Sequence, residues 1–268
     1  MEALFTYGFL QRALLAGVFV AIACAILGVF LLLRRDAMIG HGLAHVTFGG
    51  VALGLFLNIL PLGAALVVAI LASLAIMKLK ERAGLHGDTA IGIFSSAGMA
   101  LGIALATLAG RFNVDLLSYL FGDILAIEPL EVWLSIALAG AVIIVILLNY
   151  RQLMYLTFDR DAAKASGVKT ERFDILLTVL TAVTVVLGMK VVGILLVTAL
   201  LVIPAAAGLQ VAASFKQALF LSCAVSFISV LLGLSAAFVF DLPASATIVL
   251  LAFVIFGFFF LRRRKKSF

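Results

Sequence analysis

The sequence is poor in charge. Only 12% of its 268 residues are charged, whereas 65% are hydrophobic, and the mean hydropathy is +1.31. A soluble domain has about 25% charged and about 45–50% apolar residues. This composition excludes a soluble globular enzyme. It also excludes a disordered chain, which needs low hydrophobicity and a high net charge.

Cysteine is nearly absent, and the common catalytic motifs are missing. Cys24 and Cys223 both lie inside apolar runs, so we interpret them as core residues rather than as a disulfide or a metal cluster. The chain has no phosphate-binding G-x-x-x-x-G-K-[ST] loop, no G-x-S-x-G elbow and no H-E-x-x-H motif. We therefore predict that it is not an enzyme and does not hydrolyse ATP by the phosphate-loop route.

Long apolar runs fill most of the chain instead. A membrane-spanning helix needs about 20 apolar residues, and a chain in lipid must satisfy its backbone hydrogen bonds internally. We predict an all-α polytopic membrane helix bundle of about eight to nine transmembrane helices, forming a single domain over residues 1–268. Segment 113–127 is short and carries two acids, so we interpret it as re-entrant or interfacial. The alternative is a further span, which would invert the orientation of everything downstream and is disfavoured by the distribution of basic residues. The nine runs are 12–33, 38–60, 62–77, 89–109, 130–149, 174–189, 191–209, 217–240 and 244–261.

The basic residues are distributed unevenly between the loops. If the stretch after Leu33 is cytoplasmic and each run crosses once, 16 of the 19 Lys and Arg residues lie on the cytoplasmic side. The formal charge is then +9 inside and −3 outside. Because Lys and Arg concentrate in cytoplasmic loops, we predict a multi-pass cell-membrane protein with its N-terminus outside and its C-terminus inside. The net charge of +6 therefore indicates membrane orientation and contact with lipid, not nucleic-acid binding.

Two histidines stand four residues apart at the start of the second run. On a helix, His41 and His45 share one face, where two imidazoles can hold one divalent ion such as Zn²⁺. Gly42 follows His41 where a metalloprotease has glutamate, which favours ion binding or passage over hydrolysis. The alternative is a pair of histidines hydrogen-bonded within the bundle. Two ligands are too few for a structural zinc site, but a symmetric dimer brings four imidazoles around one axis.

The longest polar stretch covers about residues 150–174. It predicts a short helix that starts near Asp159, has Asp161 in its first turn and ends at Gly167. A helical loop on the cytoplasmic side is suited to docking a partner, and the alternative is a plain linker.

Small residues recur inside three of the runs. Pairs of glycines four apart, Gly50 with Gly54 and Gly98 with Gly102, predict close helix packing. Ser222, Ser226 and Ser229 share one face of the eighth run. They either line a polar path or bond to their own helix backbone.

Four stretches together resemble the membrane permease subunits of bacterial and archaeal ABC importers for zinc and manganese, the ABC-3 family. They are 33–45 with 49–52, 88–93, 158–168 and 192–206. The resemblance implies a permease dimer, most simply a homodimer, with two cytoplasmic ABC ATPase subunits and an extracellular metal-binding protein. It implies a transported divalent metal rather than a stably bound cofactor, and ATP hydrolysis on the separate ATPase. The residues that it assigns to ATPase coupling are Phe158, Asp159, Ala162, Ala163 and Gly167.

The resemblance also assigns the metal path to His41 and His45, with one departure from the family pattern. His41 stands where the family usually has aspartate, and His45 matches. Imidazole in place of carboxylate favours softer, nitrogen-preferring ions, which predicts zinc over manganese.

Other transporters remain as alternatives. One is a manganese or iron ABC permease, and one is a gradient-driven secondary metal transporter. The sequence offers no Asp or Glu deep in a span as a proton relay and no clear inverted repeat, which disfavours the second.

Overall fold

The computed structural model describes residues 8–82, 87–108, 122 and 129–266, and this part of the chain is helical without any strand. Its long helices confirm the predicted all-α bundle. Segment 113–127, apart from Gly122, and His86 lie outside the described residues. The helices are α1 (Gly8–Leu33), α2 (Met38–Phe56), α3 (Pro61–Arg82), α4 (Gly87–Leu108), α5 (Pro129–Leu148), α6 (Tyr150–Phe158), α7 (Arg160–Ala165), α8 (Thr170–Val192), α9 (Ile194–Val211), α10 (Phe215–Phe240) and α11 (Ala244–Lys266).

Eight of the described helices are long and apolar enough to cross a membrane. Helices α5 and α6 add a ninth crossing if they count as one span, but they meet at an angle of 68°. These eight or nine candidates agree with the predicted number. The chain is therefore a multi-pass membrane protein.

The core lies around α1, α2 and α8. Helix α8 packs against α1, α2, α3, α5 and α9. Phe30 of α1, Leu43 of α2 and Met189 of α8 are fully buried in one continuous apolar cluster. Helix α11 lies at the periphery and exposes large apolar side chains such as Leu250 and Phe253, as expected for a helix that faces lipid.

Glycines bring the backbones of α2, α3 and α4 together. A Cβ added at Gly50 would lie 2.7 Å from the Cα of Ala65, and one at Gly54 would lie 2.7 Å from the Cα of Pro61, both on α3. Gly98 and Gly102 of α4 press in the same way against α2. The packing role predicted for both glycine pairs is confirmed.

The three serines of α10 are buried and behave differently from one another. Ser222 donates to the carbonyl of Ala218 in its own helix, whereas Ser226 donates across the bundle to the carbonyl of Ala21 in α1. Ser229 Oγ has no partner among the described residues. The backbone-bonding interpretation is confirmed for Ser222.

Both cysteines are free, with Cys24 buried and Cys223 half-buried.

Candidate metal site and docking loop

The two histidines lie in the first two turns of α2. A four-residue turn, 34–37, joins α1 to α2, and His41 and His45 follow it on one face of the helix. Their Nε2 atoms are 3.1 Å apart, and the rings meet edge to face with centroids 4.6 Å apart. His41 is exposed and His45 is half-buried. The prediction that His41 and His45 share one face of a helix is therefore confirmed.

The arrangement fits one metal ion with small adjustment. At Zn–N bond lengths of about 2.0–2.1 Å, a tetrahedral ion places two ligand nitrogens about 3.3 Å apart. Without an ion, one ring donates its Nε2–H and the other accepts. The observed geometry therefore fits a hydrogen-bonded pair without a metal ion as well as a pair that binds one.

Among the described residues, the pair has no third protein ligand. No group of three or more His, Cys, Asp or Glu side chains in this part of the chain is placed to hold a metal. His45 Nδ1 is buried and lacks a hydrogen-bond partner among these residues. Two imidazoles alone do not make a closed zinc site, so tight coordination needs ligands from outside the described part of this chain.

Backbone packing fixes the position of the pair. A Cβ added at Gly42 would collide with Ile91 of α4, and one at Gly40 would collide with Leu201 of α9. Further along α2, a Cβ at Gly49 would lie 2.5 Å from the carbonyl oxygen of Gly98. Because the backbone of α2 lies against side chains of α4 and α9 and, at Gly49, directly against the backbone of α4, His41 and His45 have little freedom to move independently of the bundle.

The polar stretch forms two short helices at the bend that follows Asn149. Helix α6 runs to Phe158, and Asp159 then caps α7 by accepting a 2.9 Å hydrogen bond from the backbone N–H of Ala162. Helix α7 ends at Ala165, and Gly167 adopts a φ of +82°, which favours glycine. The short helix predicted between Asp159 and Gly167 is confirmed.

The residues assigned to coupling divide into an exposed set and an inward set. Phe158 is 64% exposed, and Asp159 and Gly167 are also exposed. Ala163 is fully buried and Ala162 is half-buried. A partner can therefore touch Phe158, Asp159 and Gly167, while Ala163 seats α7 on the protein.

An aromatic cluster that the sequence analysis missed supports this loop. Phe215, at the start of α10, packs against Phe30 of α1, Tyr150 and Phe158 of α6, with ring centroids 5.2, 5.8 and 5.7 Å away. The cluster joins α6 to α1 and α10. These aromatic residues lie near the ends of separate apolar runs. That position is only a weak sequence signal for the cluster, because spacing along the chain does not reveal which helix ends meet.

Ion pairs that the sequence analysis also missed join the loop to the turn before the histidines. Asp174 of α8 pairs with Arg34 in that turn and with Arg160 of α7. Asp36, in the same turn, accepts a 2.6 Å hydrogen bond from Lys80 Nζ of α3. The histidine pair therefore lies at the same end of the bundle as the predicted docking loop, which comprises α6, α7 and Gly167.

The ABC 3 transport family matches residues 6–263. The chain belongs to this family. The family predicted from the sequence is thus confirmed, and the match covers the histidine pair, both short helices and the ion pairs between them.

Two curated relatives differ in the metal that their names carry. The manganese import system permease protein ScaB of Streptococcus gordonii is 35% identical over 96% of this chain and 92% of that protein. The high-affinity zinc uptake system membrane protein ZnuB of Haemophilus influenzae is 32% identical over 94% of this chain and 97% of that protein. The family is therefore shown, whereas the comparisons leave the choice between the two metals open.

A solved structure shares the fold. The PsaBC structure from Streptococcus pneumoniae, determined in complex with Fab, superposes with a TM-score of 0.87. It is 34% identical and covers 97% of this chain and 93% of that chain.

Proposed function

We propose that this chain is the membrane permease subunit of an ABC importer for divalent transition-metal ions, and that it prefers zinc. The observation that carries the proposal is the His41–His45 pair, whose Nε2 atoms lie 3.1 Å apart at the end of the bundle that also carries the docking loop. Membership in the ABC 3 transport family and the relatives named as manganese and zinc permeases support the transport of such an ion.

The preference for zinc follows from the donor atoms. Imidazole nitrogen suits zinc, whereas manganese favours carboxylate, carbonyl and water oxygens. Both positions of the motif are histidine in this chain, although the family that it resembles usually has aspartate at the position of His41. Manganese is the second candidate, and it is favoured by the manganese permease ScaB among the relatives.

A dimer would supply the further ligands that the described part of one chain does not place beside the histidine pair. A second copy related by two-fold symmetry would bring its own histidine pair towards the shared axis, giving four imidazoles for one ion in transit. The positive-inside rule supports an inner location for the end of the bundle that carries Arg34 and Arg160. The pair then acts near the cytoplasmic side, and an extracellular metal-binding protein delivers the ion from the opposite side.

The docking loop receives the motion of a separate ATPase. Phe158, Asp159 and Gly167 form the exposed surface for that partner, and Ala163 anchors α7 to the bundle. ATP binding and hydrolysis would displace α7, and the bundle would open the path at the histidines alternately to the two sides.

Metal uptake by cells that express the chain with its ATPase and binding protein tests the metal. We expect zinc uptake to collapse in His45→Ala. His41→Asp should shift competition towards manganese, since it restores a carboxylate. His86→Ala is the matched control and should transport normally. If both α2 variants transport zinc at the wild-type rate, the pair is a structural hydrogen bond and the metal proposal is lost.

A substitution in the docking loop tests the coupling role separately. Gly167 is exposed and has open space around its Cα, so Gly167→Asp adds a charge to the docking surface without an internal clash. We expect it to abolish ATPase stimulation and transport while the permease stays in the membrane. Gly167→Asn adopts the same backbone conformation without a charge and should retain most activity. Equal, wild-type behaviour of both variants would contradict the docking role.

A further inference from the structure

We propose that Asp174 is a positioning residue that links the docking helix α7 to the turn preceding the histidine pair. Motion of α7 would then reach His41 and His45 through one carboxylate. The consequence for transport rests on the proposed function, whereas the link itself rests on contacts in this chain.

Asp174 binds two arginines from different parts of the fold. It lies in the second turn of α8, and its side chain is only 9% exposed. Its Oδ1 accepts from Arg34, whose side chain is 14% exposed, and its Oδ2 accepts a 2.8 Å hydrogen bond from Arg160. One carboxylate therefore touches the turn between α1 and α2 on one side and the first residue of α7 on the other.

The turn that Arg34 occupies is held on its other side as well. Asp36 pairs with Lys80 at 2.6 Å, and the backbone N–H of Asp36 donates to the carbonyl of Leu31. Arg35 adopts a left-handed φ of +60°, so the chain reverses sharply between α1 and α2. Because His41 follows Asp36 by only five residues, a displacement of this turn moves the histidine end of α2 directly.

The two halves of the link differ in strength. The Arg34–Asp174 pair is largely buried, with side chains 14% and 9% exposed, so breaking it leaves a poorly solvated charge without its partner. The Arg160 side chain is 58% exposed, and water screens its pairing with Asp174. The Arg160 contact is therefore the weaker half of the link, and a substitution of Arg160 removes it while Arg34 and Asp174 stay together as one body.

A helix as short as α7 depends on contacts with the rest of the protein for its orientation. Helix α7 has six residues, too few for an independently stable helix. Its N-cap at Asp159 and the buried Ala163 fix its shape and seat. Among the described contacts, the Arg160–Asp174 pair is the ionic one that ties α7 to the transmembrane bundle, which makes it the transmitting contact.

The test uses the assembled transporter with its ATPase, reconstituted in lipid vesicles. The measured quantity is the number of zinc ions transported per ATP hydrolysed in wild type, Arg160→Gln, Arg160→Lys, Asp174→Asn and the double variant Arg160→Gln with Asp174→Asn. We expect Arg160→Gln to lower this ratio about fivefold or more, with co-purification of the ATPase and basal hydrolysis within about twofold of wild type. Arg160→Lys should recover at least half of the ratio. Lys164→Gln removes a charge from the exposed side of the same helix and is the matched control.

Non-additive effects of the Arg160 and Asp174 substitutions on the transport ratio would show that the two residues act as a pair. The double variant should transport no worse than Asp174→Asn alone, because the contact that Arg160 makes is already lost. Arg160 variants keep the buried Arg34–Asp174 pair, so they remain informative if Asp174→Asn folds poorly. Additive losses, or an effect of Arg160→Gln equal to that of Lys164→Gln, would overturn the proposal.

A second readout separates this inference from the proposed function. If the wild-type assembly transports no metal, the proposed function fails, and amide hydrogen exchange over residues 34–45 in the same assembly decides the link. We expect Arg160→Gln to increase exchange in this segment and Lys164→Gln to leave it unchanged. Unchanged exchange in Arg160→Gln would overturn the link whatever the transport result.

Discussion

The two candidate functional regions of the molecule, the histidine helix α2 and the loop that contains α6 and α7, are built in opposite ways. Helix α2 carries the histidine pair and packs its glycine backbone directly against the backbones of α4 and α3, at Gly49 and Gly50, which leaves no room for a methyl group. The docking loop instead touches the bundle through side chains: one cap, one buried alanine, an aromatic cluster and a half-exposed ion pair. Packed backbone has few alternative arrangements, whereas side-chain contacts can be exchanged. The histidine pair is therefore held rigidly within the bundle, and the loop is the part that can move.

The largest effect is expected from removing the charge shared by both regions. Asp174→Ala leaves Arg34 buried without its partner, and we expect the free energy of unfolding to fall by about 3–5 kcal/mol. Arg160→Gln removes the exposed half of the link and should cost about 0–1 kcal/mol. Chemical or thermal unfolding of the purified permease in detergent compares the two. Equal losses would mean that Asp174 does not hold Arg34 as a buried pair.

A bulky residue in α2 tests the rigid region by itself. At Gly49, a Cβ would approach the carbonyl oxygen of Gly98 to 2.5 Å, so Gly49→Val forces α2 and α4 apart. We expect a loss of about 1–3 kcal/mol, as is typical of overpacking, together with a lower unfolding temperature. Gly92→Val in α4 is the control, because a Cβ there meets nothing within 4 Å. If Gly92→Val is as harmful as Gly49→Val, close backbone packing is not what holds the histidine helix.

Much of the fold was predictable because each span carries its own signal. Nine apolar runs gave the helices, and glycine pairs four residues apart gave the close contacts of α2 with α3 and α4. The short helix from Asp159 to Gly167 was predictable for the same reason, since an acidic start and a glycine stop are local features. The spacing of His41 and His45 likewise fixed their shared face.

The contacts between distant segments were not predictable in this way. Asp174 meets Arg34, 140 positions away in the chain, and nothing in either neighbourhood records the pairing. Phe215 meets Phe30 and Tyr150 for the same kind of reason, since the packing of helix ends depends on the whole bundle. Sequence periodicity indicates which face of a helix is apolar but not which helix covers it.

The end of the docking helix offers a smaller test. Gly167 has a φ of +82°, and residues other than glycine pay about 1–2 kcal/mol in this region unless, like asparagine, they tolerate it. We expect Gly167→Ala to raise amide hydrogen exchange over residues 160–168 without changing the unfolding temperature of the bundle. Gly167→Asn should exchange close to wild type. A lowered unfolding temperature in Gly167→Ala would mean that the loop is part of the rigid core after all.

The N-cap of the same helix is expected to have the smallest effect. Asp159 Oδ1 accepts from the backbone N–H of Ala162, and loss of such a cap costs about 1 kcal/mol of local helix stability. Because 1 kcal/mol corresponds to roughly a fivefold change in an equilibrium, Asp159→Ala should raise the open fraction of α7 about fivefold. Asp161→Ala removes an equal charge from the first turn without removing the cap, so it should have a smaller effect. Hydrogen exchange at Ala162 and Ala163 measures both. Equal effects would assign the stabilisation to charge near the helix terminus rather than to the cap, and the loop would then depend on salt concentration instead of on one hydrogen bond.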